Sequence, residues 1–284
     1  MNSNDNERLW VDLHTHSSAS DGTFSPTELV EYAEEKGLYA IALTDHDTID
    51  GVEEAMEAAK GNAVKVIPGI ELSADYGGAD LHILGLNVDY RSEAFLKVVE
   101  QCRRSRDERN LKMIEKINEQ GLHLTPEIME ERFGIASVTR AHFARYMIDE
   151  GFVSSKDEAF KRYLNPGKCC YVSREKITPA MAIELILEAD GKPVLAHPLL
   201  YKMGHDRLYS TVNYLKELGL QGLEAVYSLN SPSDDRKLAE LAKNYDLFFT
   251  GGSDFHGSNK PDIDLGVGKG NLKIPKDLLK NLFV

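Results

Sequence analysis

The sequence predicts an α/β fold built on a parallel sheet, closed as a barrel or left open, with a helical segment inserted into it. Three observations lead there. Short apolar runs alternate with segments of helical periodicity, and repeated β-then-α order demands crossover connections. The stretch from residue 96 to residue 175 breaks this rhythm: it is mostly helical and holds no convincing buried strand. The chain has 284 residues with 42% hydrophobic content, enough for one large domain with an insertion.

The elements follow in order. Leu9–Leu13 is a short strand. Ser25-Pro26-Thr27-Glu28 reads as a capping box with proline at the first helical position, opening a helix that ends at Gly37. LYAIALTDH is a buried strand, and TIDGVEEAMEAAKG a helix ending at Gly61. VKVIPGIELS and LHILGLNVD are two further strands. The inserted segment contributes RRSRDERNLKMIEKINEQG and TRAHFARYMIDEGF. Thr178-Pro179 then opens the helix AMAIELILEADG, followed by the strand PVLAHP, the helix DRLYSTVNYLKELG, the strand QGLEAVYS, the helix DRKLAELAKNYD and the strand LFFTGGSDFH. The barrel elements are expected over 1–95 and 176–284, and the insert over 96–175.

Composition narrows the function. A formal net charge of -13 argues against broad binding to a nucleic-acid backbone, and no long nucleic acid is expected as a partner. Three cysteines, Cys102, Cys169 and Cys170, with no CxxC pair, suggest a reducing, cytoplasmic compartment. The polar start MNSNDNERLW does not read as a signal peptide, and no apolar run is long enough to span a bilayer. No protein partner is inferred.

Six of the nine histidines fall at strand ends or starts: His14, His16, His46, His82, His197 and His256. Asp21, Asp45, Glu71 and Asp254 accompany them. In a parallel α/β fold the carboxyl ends of strands gather at one face, so these groups would pool there. A lone histidine at a strand end is more often a satisfied polar residue than a ligand. The whole set is different, because crowding so many unpaired titratable groups at one rim would cost several kcal/mol each. Pooled His, Asp and Glu would bind more than one divalent cation. Asp45 reads equally as a partner orienting His46 or His16, or as a cap for the following helix.

The order and spacing of HTH at 14–16, TDHD at 44–47, GIELS at 69–73, LH at 81–82, AHP at 196–198 and SDFH at 253–256 resemble the PHP (polymerase and histidinol phosphatase) superfamily. The helical insert resembles its stand-alone phosphoesterases. The resemblance implies a distorted (β/α)7 barrel holding two to three divalent ions, with Mn²⁺ expected first and Fe²⁺ or Zn²⁺ as alternatives. It implies that His14, His16 and Asp254 hold one ion. Glu71 would bridge it to a second, held by His82 and His197, and Asp21, His46 and His256 would hold a third. The mixed nitrogen and oxygen set suits these metals better than Ca²⁺.

The activity this resemblance implies is hydrolysis of a small phosphorylated nucleotide or ribose compound by a metal-activated hydroxide. Examples are a nucleoside 3′,5′-bisphosphate and 5-phosphoribosyl 1,2-cyclic phosphate. Histidinol-phosphate phosphatase, 5′-3′ exonuclease on short oligonucleotides, and a non-enzymatic metal-binding barrel are the alternatives. The insert counts against the first and the full ligand set against the last. Arg140 and Lys168, in the insert, are the expected substrate-phosphate contacts, since a guanidinium fork suits a phosphate. Among Arg103, Arg104, Arg106 and Arg109, most are expected on a solvated helix face. Glu224 and Tyr227 lie at the same expected rim, and His142 is expected to pack rather than react.

Overall fold

The computed structural model describes residues 8–134 and 137–283. The start of the polar N-terminal segment, two residues of the expected insert and the final valine lie outside the described residues. Seven strands form one sheet in sequence order: β1 (Val11–Thr15), β2 (Ala40–Leu43), β3 (Lys65–Tyr76), β4 (Ala79–Leu86), β5 (Lys192–Leu195), β6 (Gly222–Tyr227) and β7 (Phe248–Gly252). Beyond the last strand the chain turns back to the first. The Asp254 N–H donates to the His14 carbonyl at 2.9 Å, and the His16 N–H to the Phe255 carbonyl at 3.0 Å, so the sheet nearly closes into a barrel. That approach needs Gly252, where an added Cβ would lie 2.2 Å from the His14 Cβ.

The sheet is mixed, which corrects the parallel expectation. β1–β2–β3 and β5–β6–β7 are parallel, but β4 runs antiparallel to both neighbours. The cause is local. Tyr76 pairs with Ala79 across Gly77 and Gly78, whose φ values of 58° and 82° make the two-residue turn that matches strand twist. No crossover helix intervenes, so β4 must reverse. Glu71 therefore lies within β3 rather than at its end, and His82 within β4. β1 begins two residues later than expected, because all five of its residues are buried and no alternation marks its limits.

Helices α1 (Pro26–Glu35), α2 (Val52–Ala58), α7 (Pro179–Glu188), α8 (His205–Glu217) and α9 (Pro232–Asn244) belong to the barrel rhythm. The Ser25 capping box closes as its sequence demands. Strand residues of one parity, such as Ile41, Leu43, Ile70, Leu195 and Leu223, share an apolar cluster with these helices. Those of the other parity, among them Ala40, Ala42, Ile67, Leu84 and Val194, pack with Leu272, Ile274, Leu279 and Leu282 of the C-terminal segment. Period-two alternation thus builds both clusters.

Between β4 and α7 come α3 (Glu93–Asn118), α4 (Pro126–Phe133), α5 (Arg140–Asp149) and the short α6 (Lys156–Ala159). They gather a separate apolar cluster around Met113, Ile117, Phe143, Met147, Leu164 and Cys170. No described helix is long and apolar enough to cross a membrane.

Candidate metal centre

The fold brings all nine expected ligands to one face. Glu71 is at the middle, with no exposed surface. Its Oε1 is 2.8 Å from His82 Nδ1 and 3.0 Å from His197 Nε2. Its Oε2 is 3.0 Å from His46 Nδ1, 3.3 Å from His16 Nε2 and 3.4 Å from His14 Nε2. Asp254 Oδ1 is 3.4 Å from His16 Nε2 and 3.3 Å from His256 Nδ1. Asp21 Oδ1 is 3.1 Å from His256 Nε2 and 3.7 Å from His46 Nε2.

Four groups have ligand atoms all within 4.8 Å of one another: His14–His16–Asp254, His14–Glu71–His197, His46–Glu71–His82 and His16–Asp21–His46–His256. The first matches the expected grouping. Asp21, His46 and His256 come together as expected, joined by His16. The middle set differs: Glu71 belongs to two groups, with His197 beside His14 and His82 beside His46. Two cluster residues have left-handed backbones, His197 at φ 27° and Asp254 at φ 58°. Non-glycine residues held this way cost about 1–3 kcal/mol each and tend to mark functional sites.

Electrostatics favour cations here. Burial works against the charge of Asp21, Glu71 and Asp254, yet neighbouring imidazoles, and Lys260 for Asp254, hold all three carboxyls well below their usual range. These are His256 and His46 for Asp21, His46, His82 and His14 for Glu71, and Lys260, His256 and His14 for Asp254. Burial, Lys260 and His16 push His256 down to about 3; its Nδ1 donates to the Asp254 carbonyl at 2.9 Å, which leaves Nε2 free to coordinate. His14 and His16 move the other way. Burial disfavours their charge, but the carboxylates around them outweigh it, and His16 rises to about 9. Metal loading would displace these protons. Buried atoms left without a hydrogen-bond partner include His14 Nε2, both His16 nitrogens, Asp21 Oδ1, His46 Nδ1, Glu71 Oε2 and His197 Nδ1. Such orphans, all on the same groups, fit divalent metal ions.

Supporting residues surround the clusters. Glu224 is fully buried; its Oε1 accepts from His14 Nδ1 at 2.9 Å and its Oε2 from the His197 N–H at 2.7 Å. The Tyr227 hydroxyl donates to Asp254 Oδ2 at 2.7 Å, and Lys260 Nζ reaches the same oxygen at 2.6 Å. Asp45 accepts from the Ser17 N–H and from the Ser17 and Ser20 hydroxyls, shaping the loop that carries Asp21.

A cavity of about 220 Å³ opens over Asp21, His46, His82 and His256, and its other wall is cationic: Arg106, Arg109, Arg140, Lys156, Arg174, Lys176 and Lys260. Arg140 is where the sequence places it, 3.5 Å from Asp80. Lys168 is not. It is exposed in the turn after the last helical stretch of the insert and is absent from the cavity lining, which corrects that expectation. Sequence reasoning missed Arg174, Lys176 and Lys156. Arg106, buried, and Arg174, half-buried, both pair with Asp47, the last residue of TDHD, which also accepts from the Ser73 N–H. Arg109 is 6% exposed, makes no ion pair among the described residues, and has Nε and Nη2 unpartnered. Burial and the adjacent Arg106, Arg174 and Arg140 disfavour its charge. His142 is buried and packed against Phe133, and His205 is exposed on Tyr209.

The PHP domain family matches residues 12–245. The chain belongs to the PHP domain family. It is 38% identical over 247 residues to the 5′-3′ exoribonuclease of Haemophilus influenzae, covering 86% of this chain and 89% of that one. It is 33% identical over 257 residues to the 3′,5′-nucleoside bisphosphate phosphatase of Chromobacterium violaceum, covering 90% of each. A solved structure from Bifidobacterium adolescentis, provisionally named a metal-dependent phosphoesterase, superposes with a TM-score of 0.85 at 28% identity, covering 96% of this chain and 95% of that one. The solved structure and this chain share one fold over nearly their whole lengths.

Proposed function

We propose that this PHP protein is a metal-dependent phosphoesterase for small nucleotide or ribose phosphates that carry a second phosphate. One observation carries the reading: Asp21, His46, His82 and His256, the outer members of the clusters, and a cationic wall with an unpaired buried guanidinium face each other across one small cavity. His14, His16 and Asp254 would hold one ion and Asp21, His46 and His256, with His16 beside them, another, while Glu71 would serve both sides, with His197 next to His14 and His82 next to His46. Mn²⁺ suits these ligands, with Fe²⁺ and Zn²⁺ as alternatives. Bound ions would supply Lewis acidity to a phosphoryl oxygen and acidify a water.

The protein's own groups do the rest. Glu224 and Tyr227 fix His14 and Asp254. Arg140 and Arg109 orient the phosphate that is not cleaved. We read residues 96–175 as an inserted helical subdomain, with the barrel over 1–95 and 176–284; the separate apolar cluster of the insert supports this division. Three cysteines without a disulfide support a reducing, cytoplasmic setting.

The test is phosphate release by purified, Mn²⁺-loaded protein. The panel is a nucleoside 3′,5′-bisphosphate, 5-phosphoribosyl 1,2-cyclic phosphate, histidinol phosphate and a short oligoribonucleotide. Preference for the bisphosphate or the cyclic ester is the expected result. Preference for the oligoribonucleotide would favour the exonuclease alternative. Release from histidinol phosphate alone, or from none with metals bound, would overturn the substrate class.

A further inference from the structure

The insert touches the metal face at a point that catalysis as described does not use. The Thr139 hydroxyl donates to Asp21 Oδ2 at 3.0 Å, between two side chains that are both nearly fully buried. The carboxylate is thereby divided. Oδ2 is held by the insert, while Oδ1 has no hydrogen bond and faces His256 and His46. Two residues earlier, the Ser137 hydroxyl donates to the His46 carbonyl at 3.0 Å. Two of the four ligands in that cluster are thus gripped from the insert side.

The grip is built rigidly. Thr139 is the N-cap of α5, and its Oγ1 also accepts from the Ala141 N–H at 3.1 Å. The Thr139 N–H donates to His142 Nδ1 at 2.9 Å, closing the cap in both directions. With the oxygen committed to the helix, the one hydroxyl proton is directed at Asp21. The next residue along is Arg140, in the cavity wall.

We infer that Thr139 is a positioning residue for the His16–Asp21–His46–His256 cluster, so that this cluster reaches full metal affinity only when α5 is docked on the barrel. A hydrogen bond that orients a ligating carboxylate typically accounts for about 10–100-fold in metal affinity. The insert is then part of the metal centre as well as a roof over it. Docking of α5 and ion binding at this cluster strengthen each other by the same factor.

The inference rests on the metal reading above, and the experiment separates the two. Mn²⁺ binding to metal-stripped protein is measured by equilibrium dialysis for wild type, Thr139→Val, Thr139→Gly and Thr139→Ser. Valine keeps the shape and removes the hydroxyl. Glycine removes it while costing the helix cap only a few tenths of a kcal/mol, which guards against loss of the fold. Expected is one ion per chain weakened at least about tenfold in Val and Gly, with the remaining ions at wild-type affinity and Ser within about twofold. Asp21→Asn should weaken the same ion, and Thr139→Val should add little on top of it. Unchanged binding in Val and Gly, or equal weakening of every ion, overturns the role of Thr139. Absence of Mn²⁺ binding by the wild type overturns the metal reading as well.

Discussion

Glu224 Oε1 and His14 Nδ1 are 2.9 Å apart with neither side chain exposed, and the carboxylate can only accept. One proton therefore stays on Nδ1, so the proton that metal loading displaces comes from Nε2, which faces Glu71 and Asp254. Glu224→Gln keeps the volume but loses the charge that fixes this tautomer. The expected result is a metal affinity about 10–100-fold lower with little change in unfolding temperature. Metal titration followed by calorimetry measures both. Wild-type affinity in this variant would remove Glu224 from the site.

Arg109 is a buried cation whose neighbours are mostly cations, so an anion must complete its surroundings. Arg109→Met should fold at least as stably as the wild type. It should raise KM by about tenfold or more for a substrate with a second phosphate and leave a monophosphate unaffected, since a hydrogen bond to a charged group is worth about 1.5–3 kcal/mol. Equal effects on both substrates would sink the assignment.

His142 is pushed down to about 4 by burial, with Arg106 and His46 adding to the effect of burial against Asp21. The unfolded chain therefore binds one more proton than the native one between about pH 6.5 and pH 4. The stability at stake is fully present above pH 6.5 and is lost as the pH falls through 4, amounting to about 3 kcal/mol. His142→Gln preserves the cap acceptor and should flatten this part of the stability–pH curve, read by urea unfolding at a series of pH values. A slope as steep as the wild type would assign the acid sensitivity elsewhere.

Gly252 tolerates no side chain, because a Cβ there would lie 2.2 Å from His14 Cβ and 2.7 Å from His14 N. Gly252→Ala should cost about 3 kcal/mol through overpacking, visible as a lower unfolding temperature. Because the displaced residue is His14, metal affinity should fall too. A stable variant with normal metal affinity would mean the seam between β7 and β1 can widen freely.

Much of this was legible in the sequence because it is encoded locally. His14, His16 and Asp254 carry their chemistry in their residue type and their places beside apolar runs. Ser25 and Glu28 announce a helix start within four residues. The direction of β4 was also written locally, in Gly77-Gly78 between two strand patterns, but the βα rhythm on either side masks it. Other features depend on distant partners. Arg106 and Arg174 become wall residues only because Asp47 draws both inward, and Arg109 because α3 turns it away from solvent. Lys168 fails for the converse reason: a cation in a turn has no tether. β1 could not be bounded to the residue, since a strand buried on both faces shows no alternation.

The seam between β1 and the segment after β7 has a consequence for how the protein comes into being. The Ser253 N–H is held by the Asp12 carboxylate, 241 residues away in sequence. Synthesis runs from the N-terminus and domains fold as units, so His14 and His16 leave the ribosome long before Asp254 and His256 exist. Until then every metal group that includes Asp254 or His256 lacks an anchor, and the first strand has an open edge. The two groups that include Asp254 or His256 are therefore complete only once the last strand has joined the first, whereas the two centred on Glu71 need nothing beyond residue 197.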